Sequence, residues 1–222
     1  MDIVDFHAHI LPRADHGSTS TETSLFQINT ALECGVSRIV ATPHFYPQSD
    51  NVDAFISRRN ASYAKLKTAF SGLRPSIKLG AEVLICENIE EMPGLELLCI
   101  EGTNNLLLEL PFSDFFDSFE YSVKTLINRG YTVILAHADR YDPRNIDKLV
   151  AVGARLQLNA DSLCKLIIPA HIKRWLHDKC VVAIGSDIHG SDKKAYLRFN
   201  KAVKKLGEYA AYIKDCSDSL YE

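Results

Sequence analysis

Short apolar runs that alternate with longer amphipathic segments are the feature that most constrains the fold of this chain. Seven such runs, rich in Val, Ile and Leu, recur along the 222 residues. They read IVDFHAH, RIVATPH, IKLGAEVLI, NLLLELP, YTVILAH, ARLQLNA and VVAIGSD. Several are apolar on both faces, as strands of a parallel sheet are when helices cover both sides of it. The sequence therefore predicts an α/β fold built on a parallel sheet.

Amphipathic segments between most of these runs predict helices. The first, over 21–35, places Leu25, Ile28 and Leu32 at helical spacing and ends at a glycine. The others are predicted over 53–70, 116–130, 145–153, 161–177 and 192–212, and residues 86–105 read as a loop with a short helix. We expect Pro169 to break or restart the helix over 161–177. Neither a linker nor a repeat is evident, so we predict a single domain over 1–222, either a barrel or an open doubly wound sheet.

Composition excludes several classes of protein. The chain is 46% hydrophobic and 24% charged, and its net charge of −3 gives no general attraction to nucleic acid or to an anionic membrane. The start MDIVDFH lacks the basic and apolar regions of a signal peptide, and no apolar run reaches transmembrane length. The six cysteines are scattered without a C-x-x-C pair, which is typical of reduced thiols. We therefore predict a cytoplasmic protein.

Polar residues recur where the predicted strands end. They are His7 and His9, His44, Glu82, Glu109, His137, and Asp187 with His189, and His16 follows the first strand in a loop. In a parallel barrel all these strand ends face one mouth, where active sites lie. One such residue is an ordinary polar strand end, but six strands that end in this way indicate a shared site. His171 and His177 fall on a predicted helix instead, and we interpret them as surface residues.

The chemistry of this set favours metal ions. Imidazoles and carboxylates without a thiolate suit Mn, Fe or Zn. Their number exceeds the three protein ligands that are typical of a single catalytic zinc. The residues therefore predict two or three divalent ions with a bridging carboxylate. Such a cluster can share a hydroxide and hold both the entering and the leaving oxygen of a phosphoryl transfer.

Six spaced motifs carry a resemblance to a known family. HAH, ATPH, GAE, LLLELP, AHADRY and GSDIHG, in this order, resemble the PHP (polymerase and histidinol phosphatase) superfamily. That resemblance implies a distorted (β/α)7 TIM-like barrel with a trinuclear metal site. Within the superfamily, H-I-L-P, V-A-T-P-H and the Glu of L-E-L-P most resemble the manganese-dependent protein-tyrosine phosphatases of bacterial capsule and exopolysaccharide loci.

The same resemblance implies a role for each site residue. The first metal would be held by His7, His9, Glu82 and Asp187, and Glu82 would bridge to a second metal with Glu109 and His137. The third would be held by His16, His44 and His189, and Arg140 would bind the substrate phosphate.

Three positions depart from the pattern of the capsule phosphatases. His16 stands where an Asp is usual, although other PHP enzymes carry His there. Lys194 aligns with a downstream arginine, and a lysine pairs with phosphate without the bidentate fork of a guanidinium. Asp139 stands where Glu is common, and we expect it only to orient other groups.

The resulting functional prediction is a metal-dependent phosphomonoester hydrolase. We expect a protein-tyrosine phosphatase that uses a hydroxide on Mn²⁺ ions as nucleophile, with Arg140 and Lys194 on the phosphate. Its substrate would be the tail of an autophosphorylated bacterial tyrosine kinase. No cysteine is followed by an arginine six positions later, which disfavours a thiolate mechanism.

The sequence leaves other functions open. One alternative is a histidinol-phosphatase-like or other small-molecule phosphoesterase of the PHP superfamily. A second is a nuclease, against which the acidic balance argues. A third is a non-catalytic, metal-binding scaffold. Neither a nucleic-acid partner nor membrane insertion is expected, and a homo-oligomer is compatible with the sequence.

Overall fold

A computed structural model describes residues 2–70, 75–112, 115 and 118–222. Within these residues one sheet contains nine strands, and all its pairings are parallel. The strands are β1 (Asp5–Ala8), β2 (Arg38–Ala41), β3 (His44–Phe45), β4 (Ser76–Leu79), β5 (Glu82–Leu84), β6 (Asn105–Glu109), β7 (Thr132–Leu135), β8 (Arg155–Asn159) and β9 (Val181–Gly185). Their order in the sheet is β3-β5-β6-β7-β8-β9-β1-β2-β4.

Two of the predicted strands are each interrupted once. The run RIVATPH forms β2 and β3, and IKLGAEVLI forms β4 and β5. The pairing continues across both breaks, because the backbone N–H of Gly80 donates to the carbonyl of Ala41 (2.9 Å) and that of Glu82 to the carbonyl of Pro43 (3.1 Å). Pro43 has no N–H to donate to a sheet, which explains a break at this position.

Counted as single strands, the two interrupted strands close the sheet into a ring. The strand made of β2 and β3 pairs along its length with the strand made of β4 and β5. It also pairs with β1, while β5 pairs with β6 and β9 returns to β1. The ring thus has the seven members of the distorted (β/α)7 barrel, which confirms the predicted fold class, and the open sheet is excluded.

Helices surround the ring. They are α1 (Thr21–Glu33), α2 (Val52–Ala69), α3 (Ser118–Asn128), α4 (Pro143–Ala151), α5 (Ala160–Cys164), α6 (Ala170–His177), α7 (Ala195–Lys205) and α8 (Ala210–Tyr221). Single turns of 3₁₀ helix occupy Ile89–Glu91, Leu95–Leu98, Ala138–Arg140 and Gly207–Tyr209. Among the described residues, no helix is both long and apolar enough to cross a bilayer.

Most helix predictions hold, with local differences. Pro169 separates α5 from α6, as expected, and takes the N-cap position of α6. The helix predicted over 192–212 is wrong as a single element, because Gly207 adopts a φ of +56° between α7 and α8. Asp142 caps α4, so that helix begins two residues before its predicted start. The predicted start of the third helix at Phe116 lies outside the described residues.

The C-terminal helix closes the end of the barrel opposite the strand ends that carry the polar residues. The hydroxyl of Tyr221 lies 2.8 Å from Ser76 Oγ, at the first residue of β4. The carbonyl of Leu220 accepts a hydrogen bond (2.7 Å) from the amide of Asn105, at the first residue of β6. Tyr221 packs with an apolar cluster of the barrel that includes Phe6. The carboxyl ends of the strands are thereby left as the accessible mouth.

Candidate metal centre

The polar residues at the strand ends line one cavity of about 400 Å³. Seven of the predicted ligands surround it, namely His16, His44, Glu82, Glu109, His137, Asp187 and His189, together with Tyr46, Phe112 and Arg140. His7 and His9 are fully buried beneath it and contact Glu82. Lys194 is exposed at the start of α7 and does not line the cavity, so its role on phosphate stays a prediction.

Glu82 lies at the centre of the histidines. Its Oε2 is 3.1 Å from His7 Nε2, 3.2 Å from His9 Nε2 and 2.9 Å from His44 Nδ1. Its Oε1 is 2.7 Å from His137 Nε2. Burial alone would raise the pKa of Glu82, but the charge of His7 and the hydrogen bond from His137 outweigh it and hold the pKa well below its usual range. Glu82 is therefore ionised at neutral pH.

Asp187 brings a second carboxylate to the same histidines. Its Oδ1 lies 3.4 Å from His9 Nε2 and 3.4 Å from His189 Nδ1. Its Oδ2 is 2.5 Å from Arg140 Nη2 and accepts a hydrogen bond from Asn159 Nδ2 at 2.9 Å. Asp187 thus links the histidines to the guanidinium at the cavity wall.

Two of the site residues have unusual backbone conformations. His137 and Asp187 follow β7 and β9 with φ values of +33° and +50°. Positive φ is uncommon for residues other than glycine, and such conformations cluster at functional sites. Each chain turns sharply as it leaves its strand, and the side chain faces the cavity.

The third predicted ligand group is assembled as stacked rings. The ring of His16 has its centroid 4.9 Å from that of His44 and 4.8 Å from that of His189. The ring of His9 stacks on that of His189 at 4.1 Å. Donor atoms of His9, His44 and His189 all lie within 4.8 Å of one another. His16 contributes its ring to this cluster, although its donor atoms are not within that spacing.

The donor atoms of this cluster fit divalent cations. Two further groups within the 4.8 Å spacing are His7, His9 and Glu82, and His44, Glu82 and Glu109. Glu82 Oε2 and His44 Nδ1 are buried and form an ion-pair contact of 2.9 Å, but neither atom has a hydrogen bond of good geometry among the described residues. Buried polar atoms are nearly always hydrogen-bonded, so these two are available to a bound cation. Nitrogen and carboxylate donors that converge in this way suit a divalent metal.

Comparison with known proteins identifies the family of this chain. The sequence profile of the capsular polysaccharide synthesis family CpsB/CapC matches residues 3–215. The chain belongs to the CpsB/CapC family.

Two named relatives are similar to this chain in sequence. The tyrosine-protein phosphatase YwqE of Bacillus subtilis (strain 168) is 25% identical over 196 residues, which are 84% of this chain and 77% of YwqE. CapC of Staphylococcus aureus, which also carries a tyrosine-protein phosphatase name, is 30% identical over 172 residues, 72% of this chain and 66% of CapC.

Solved structures share the fold. A chain from the crystal structures of YwqE from Bacillus subtilis and CpsB from Streptococcus pneumoniae, described as metal-dependent tyrosine phosphatases, superposes with a TM-score of 0.81 at 21% identity. The match covers 99% of this chain and 94% of that one. A hydrolase from Acinetobacter baumannii gives a TM-score of 0.54 at 13% identity, covering 100% and 99% of the two chains.

Gln157 contacts two of the site histidines, and sequence reasoning missed it. Its Oε1 lies 3.1 Å from His7 Nδ1 and accepts a hydrogen bond from the backbone N–H of His137 at 2.7 Å. Groups that bind the outer nitrogen of a ligand histidine fix the orientation of its ring. One signal was present: Gln157 is a polar residue inside the apolar run ARLQLNA.

Asp15 makes equivalent contacts to His9 and His44. Its Oδ2 lies 2.6 Å from His9 Nδ1 and accepts from the backbone N–H of His44 at 3.0 Å. Asp139, for which an orienting role was predicted, accepts from the backbone N–H of Asn159 at 2.8 Å. Asn159 in turn contacts Asp187. The predicted ligands are thus held by hydrogen bonds from segments far apart in the sequence, namely the loop at Asp15, the turn at Asp139 and strand β8.

The carboxylates that line the cavity raise the pKa values of several histidines. Burial alone would lower the pKa of His44, but the carboxylates of Glu109 and Glu82 raise it to about 9. The pKa values of His7 and His9 are raised in the same way against burial, by Glu82 and Asp187 and, for His9, also by Asp15. His189 behaves oppositely, because burial and the charge of His9 lower its pKa to about 4. Without a metal, this site holds protons at neutral pH.

Proposed function

We propose that this protein is a metal-dependent protein-tyrosine phosphatase of capsular and exopolysaccharide biosynthesis, acting in the cytoplasm. The observation that carries the proposal is the convergence of His7, His9, His44 and His137 on Glu82. The membership of the CpsB/CapC family and the names of the relatives from Bacillus subtilis and Staphylococcus aureus agree with it.

We propose that the nine predicted ligands hold two or three divalent ions, and that Mn²⁺ is the physiological one. The ligands are His7, His9, His16, His44, Glu82, Glu109, His137, Asp187 and His189. Zn and Fe suit the same nitrogen and carboxylate donors. When bound, such ions supply a Lewis acid that polarises phosphate oxygens and makes water acidic enough to react near neutral pH.

The residues of the chain bind and orient the substrate phosphate. The Arg140 guanidinium lines the cavity, and its Nη2 is held 2.5 Å from Asp187 Oδ2. Its other N–H groups make no hydrogen bond within the described part of the chain, so they can donate to the equatorial oxygens of a phosphate, where charge is stabilised during transfer. Asp187 keeps the guanidinium at the wall of the cavity. A phenolate is a fair leaving group, so a phosphotyrosine ester needs no strong general acid.

The proposed substrate is the phosphorylated tyrosine tail of a bacterial tyrosine kinase. Steady-state rates on a phosphotyrosine peptide, on histidinol phosphate and on phosphoserine test this proposal, after chelation and readdition of single metals. We expect Mn²⁺ to restore activity and the phosphotyrosine peptide to be preferred. A clear preference for histidinol phosphate would support the small-molecule alternative. Failure of every metal to restore activity would support a non-catalytic scaffold.

A pair of arginine variants makes the same test specific to the site. Arg140→Ala removes a phosphate donor and should lower kcat/KM by roughly 100-fold, as loss of a transition-state donor does. Arg144→Ala is the matched control, because Arg144 is an exposed arginine that pairs with Asp142 outside the cavity. Equal rates in the two variants would exclude the proposed phosphate site.

A further inference from the structure

Phe112 is an exposed aromatic residue at the mouth of the catalytic cavity. Its relative exposure is 72%, which is high for a large apolar side chain. It lines the cavity that holds the ligand histidines and also an adjoining pocket of about 270 Å³. Among the described residues, Arg140 is the other one that lines both spaces. A substrate phosphate bound by Arg140 would therefore carry its ester group past Phe112.

Aromatic rings form a continuous surface from the metal ligands to this adjoining pocket. The ring of Phe112 is nearly parallel to that of His137, with centroids 6.4 Å apart. It lies 5.6 Å from the ring of Tyr141, which in turn is 5.5 Å from His137. Phe115 lines the same pocket. This wall is aromatic, with Tyr141 tilted against Phe112 by 31°. Tyr46, stacked on His44, also lines the cavity but not the adjoining pocket, and the other lining residues are imidazoles and charged groups.

We infer that Phe112, with Tyr141 beside it, binds the ring of an aryl phosphate and so determines the specificity of the site. The inference rests on the proposed phosphatase function and adds the group that separates aryl from alkyl esters. An aromatic ring gains by offset or edge-to-face stacking on another ring, in addition to the apolar area that it buries. A serine phosphate would bring only one methylene to this surface.

Binding of two phosphonates to the manganese-loaded 222-residue protein tests the inference. Phenylphosphonate carries a ring and methylphosphonate does not, and neither is hydrolysed, so calorimetry reports binding without turnover. We expect wild type to bind phenylphosphonate more tightly. In Phe112→Ala its affinity should fall by roughly 3- to 10-fold, and methylphosphonate should be unaffected. Phe112→Tyr keeps the ring and should retain the wild-type contrast.

The control is Tyr121→Ala, which removes another exposed aromatic side chain, on α3 and away from the cavity. Unchanged thermal unfolding midpoints would show that the variants are folded. Equal losses for both phosphonates in Phe112→Ala, or no loss for either, would overturn the inference and leave the phosphatase proposal standing. If the wild-type protein binds neither compound, the inference and the proposed phosphate site both fail.

Discussion

At the scale of single residues, Glu82 lies at the centre of the proposed metal site. It is fully buried and four imidazole nitrogens lie within 3.2 Å of its two oxygens. Glu82→Gln keeps the shape but removes the negative charge that favours both protons and cations. Loss of outer hydrogen-bond partners alone costs 10- to 100-fold in metal affinity, so removal of this ligand should cost at least about 100-fold. Elemental analysis of the dialysed protein measures the effect.

The matched control for this variant is Glu208→Gln, which neutralises a surface carboxylate in the turn Gly207–Tyr209. It should retain its metal. Full metal content in Glu82→Gln would contradict the central place of this carboxylate.

Gln157 gives a second prediction at the residue scale. Gln157→Leu is similar in size but removes the oxygen that accepts from His137 and contacts His7. We expect metal affinity to fall by about 10- to 100-fold, because the rings lose their fixed orientation. Leaving a buried N–H without a partner should also lower the free energy of unfolding by about 1–3 kcal/mol. Metal titration and urea unfolding measure the two effects.

The conservative variant Gln157→Glu tests whether the hydrogen bonds of Gln157, rather than its packing, hold the histidine rings in place. It keeps the accepting oxygen and should retain more metal affinity than Gln157→Leu. If the two variants lose equal affinity, the hydrogen bonds do not set the ligand geometry.

The sequence predicted the ligand candidates better than the groups that hold them. The candidates could be found because each follows an apolar run, so strand direction alone brings them to one end of a barrel. Gln157 could not be paired with His7 from the sequence, since that contact joins residues 150 positions apart. Asp15 lies only six residues from His9, but its loop has no periodic pattern that predicts this contact, and its second partner, His44, comes from β3. The position of Lys194 depends on the turn before α7, which no pattern in the sequence fixes.

At the scale of elements, the interruption of two strands positions the site. His44 in β3 pairs with Glu82 in β5, directly beyond the breaks at Thr42–Pro43 and Gly80–Ala81. The seven apolar runs predicted the ring. Pro43 and Gly80 marked the positions of the two breaks, but each run was still interpreted as one continuous strand. Pro169 was recognised as a break between helices, but Gly207, which separates α7 from α8, was not, because a glycine inside an amphipathic pattern does not always end a helix.

Close packing around the first strand gives a prediction at this scale. A Cβ placed on Gly185, the last residue of β9, would lie 2.5 Å from His7 Cβ and 2.7 Å from Gln157 Nε2. The new methyl group of Gly185→Ala must therefore displace both His7 and Gln157 away from β9. We expect a loss of about 1–3 kcal/mol in the free energy of unfolding, as for other overpacked cores, and weaker metal binding. Urea unfolding of the metal-free protein isolates the first effect.

Gly80→Ala is the matched control, since its Cβ would meet neighbours at no less than 3.4 Å. It should leave both stability and metal binding close to wild type. Equal behaviour of the two variants would show that the contact between β1 and β9 does not position His7.

At the scale of the whole molecule, one end of the barrel is closed by packing and the other end carries the ionisable groups. Helix α8 covers one end of the ring, and the ionisable groups collect at the other. The same ring is found in a structure only 21% identical in sequence, at a TM-score of 0.81. The overall fold therefore tolerates wide replacement of side chains, as expected when apolar pattern and strand direction specify it. The single-domain assignment over 1–222 stays a prediction.

The clustered charges make the stability of the whole protein depend on pH and metal together. In the metal-free protein the pKa of His44 rises from 6.5 to about 9 on folding. A group whose pKa is raised on folding stabilises the folded state fully below its unfolded pKa and loses that effect as pH rises through the folded pKa. The chelated protein should therefore lose stability between pH 6.5 and about 9. Metal ions need neutral imidazoles, so their affinity should increase over the same range.

Thermal unfolding with EDTA and with excess Mn²⁺, at intervals from pH 6.5 to 9, tests both trends. The difference between the two unfolding temperatures should widen as pH rises, because protons leave the imidazoles that the metal then occupies. Calorimetry in buffers of different ionisation enthalpy should detect proton release on metal binding near pH 7. His44→Gln should reduce that release. A chelated protein that grows more stable toward pH 9 would contradict this account, because the carboxylates would then not be holding protons on the histidines.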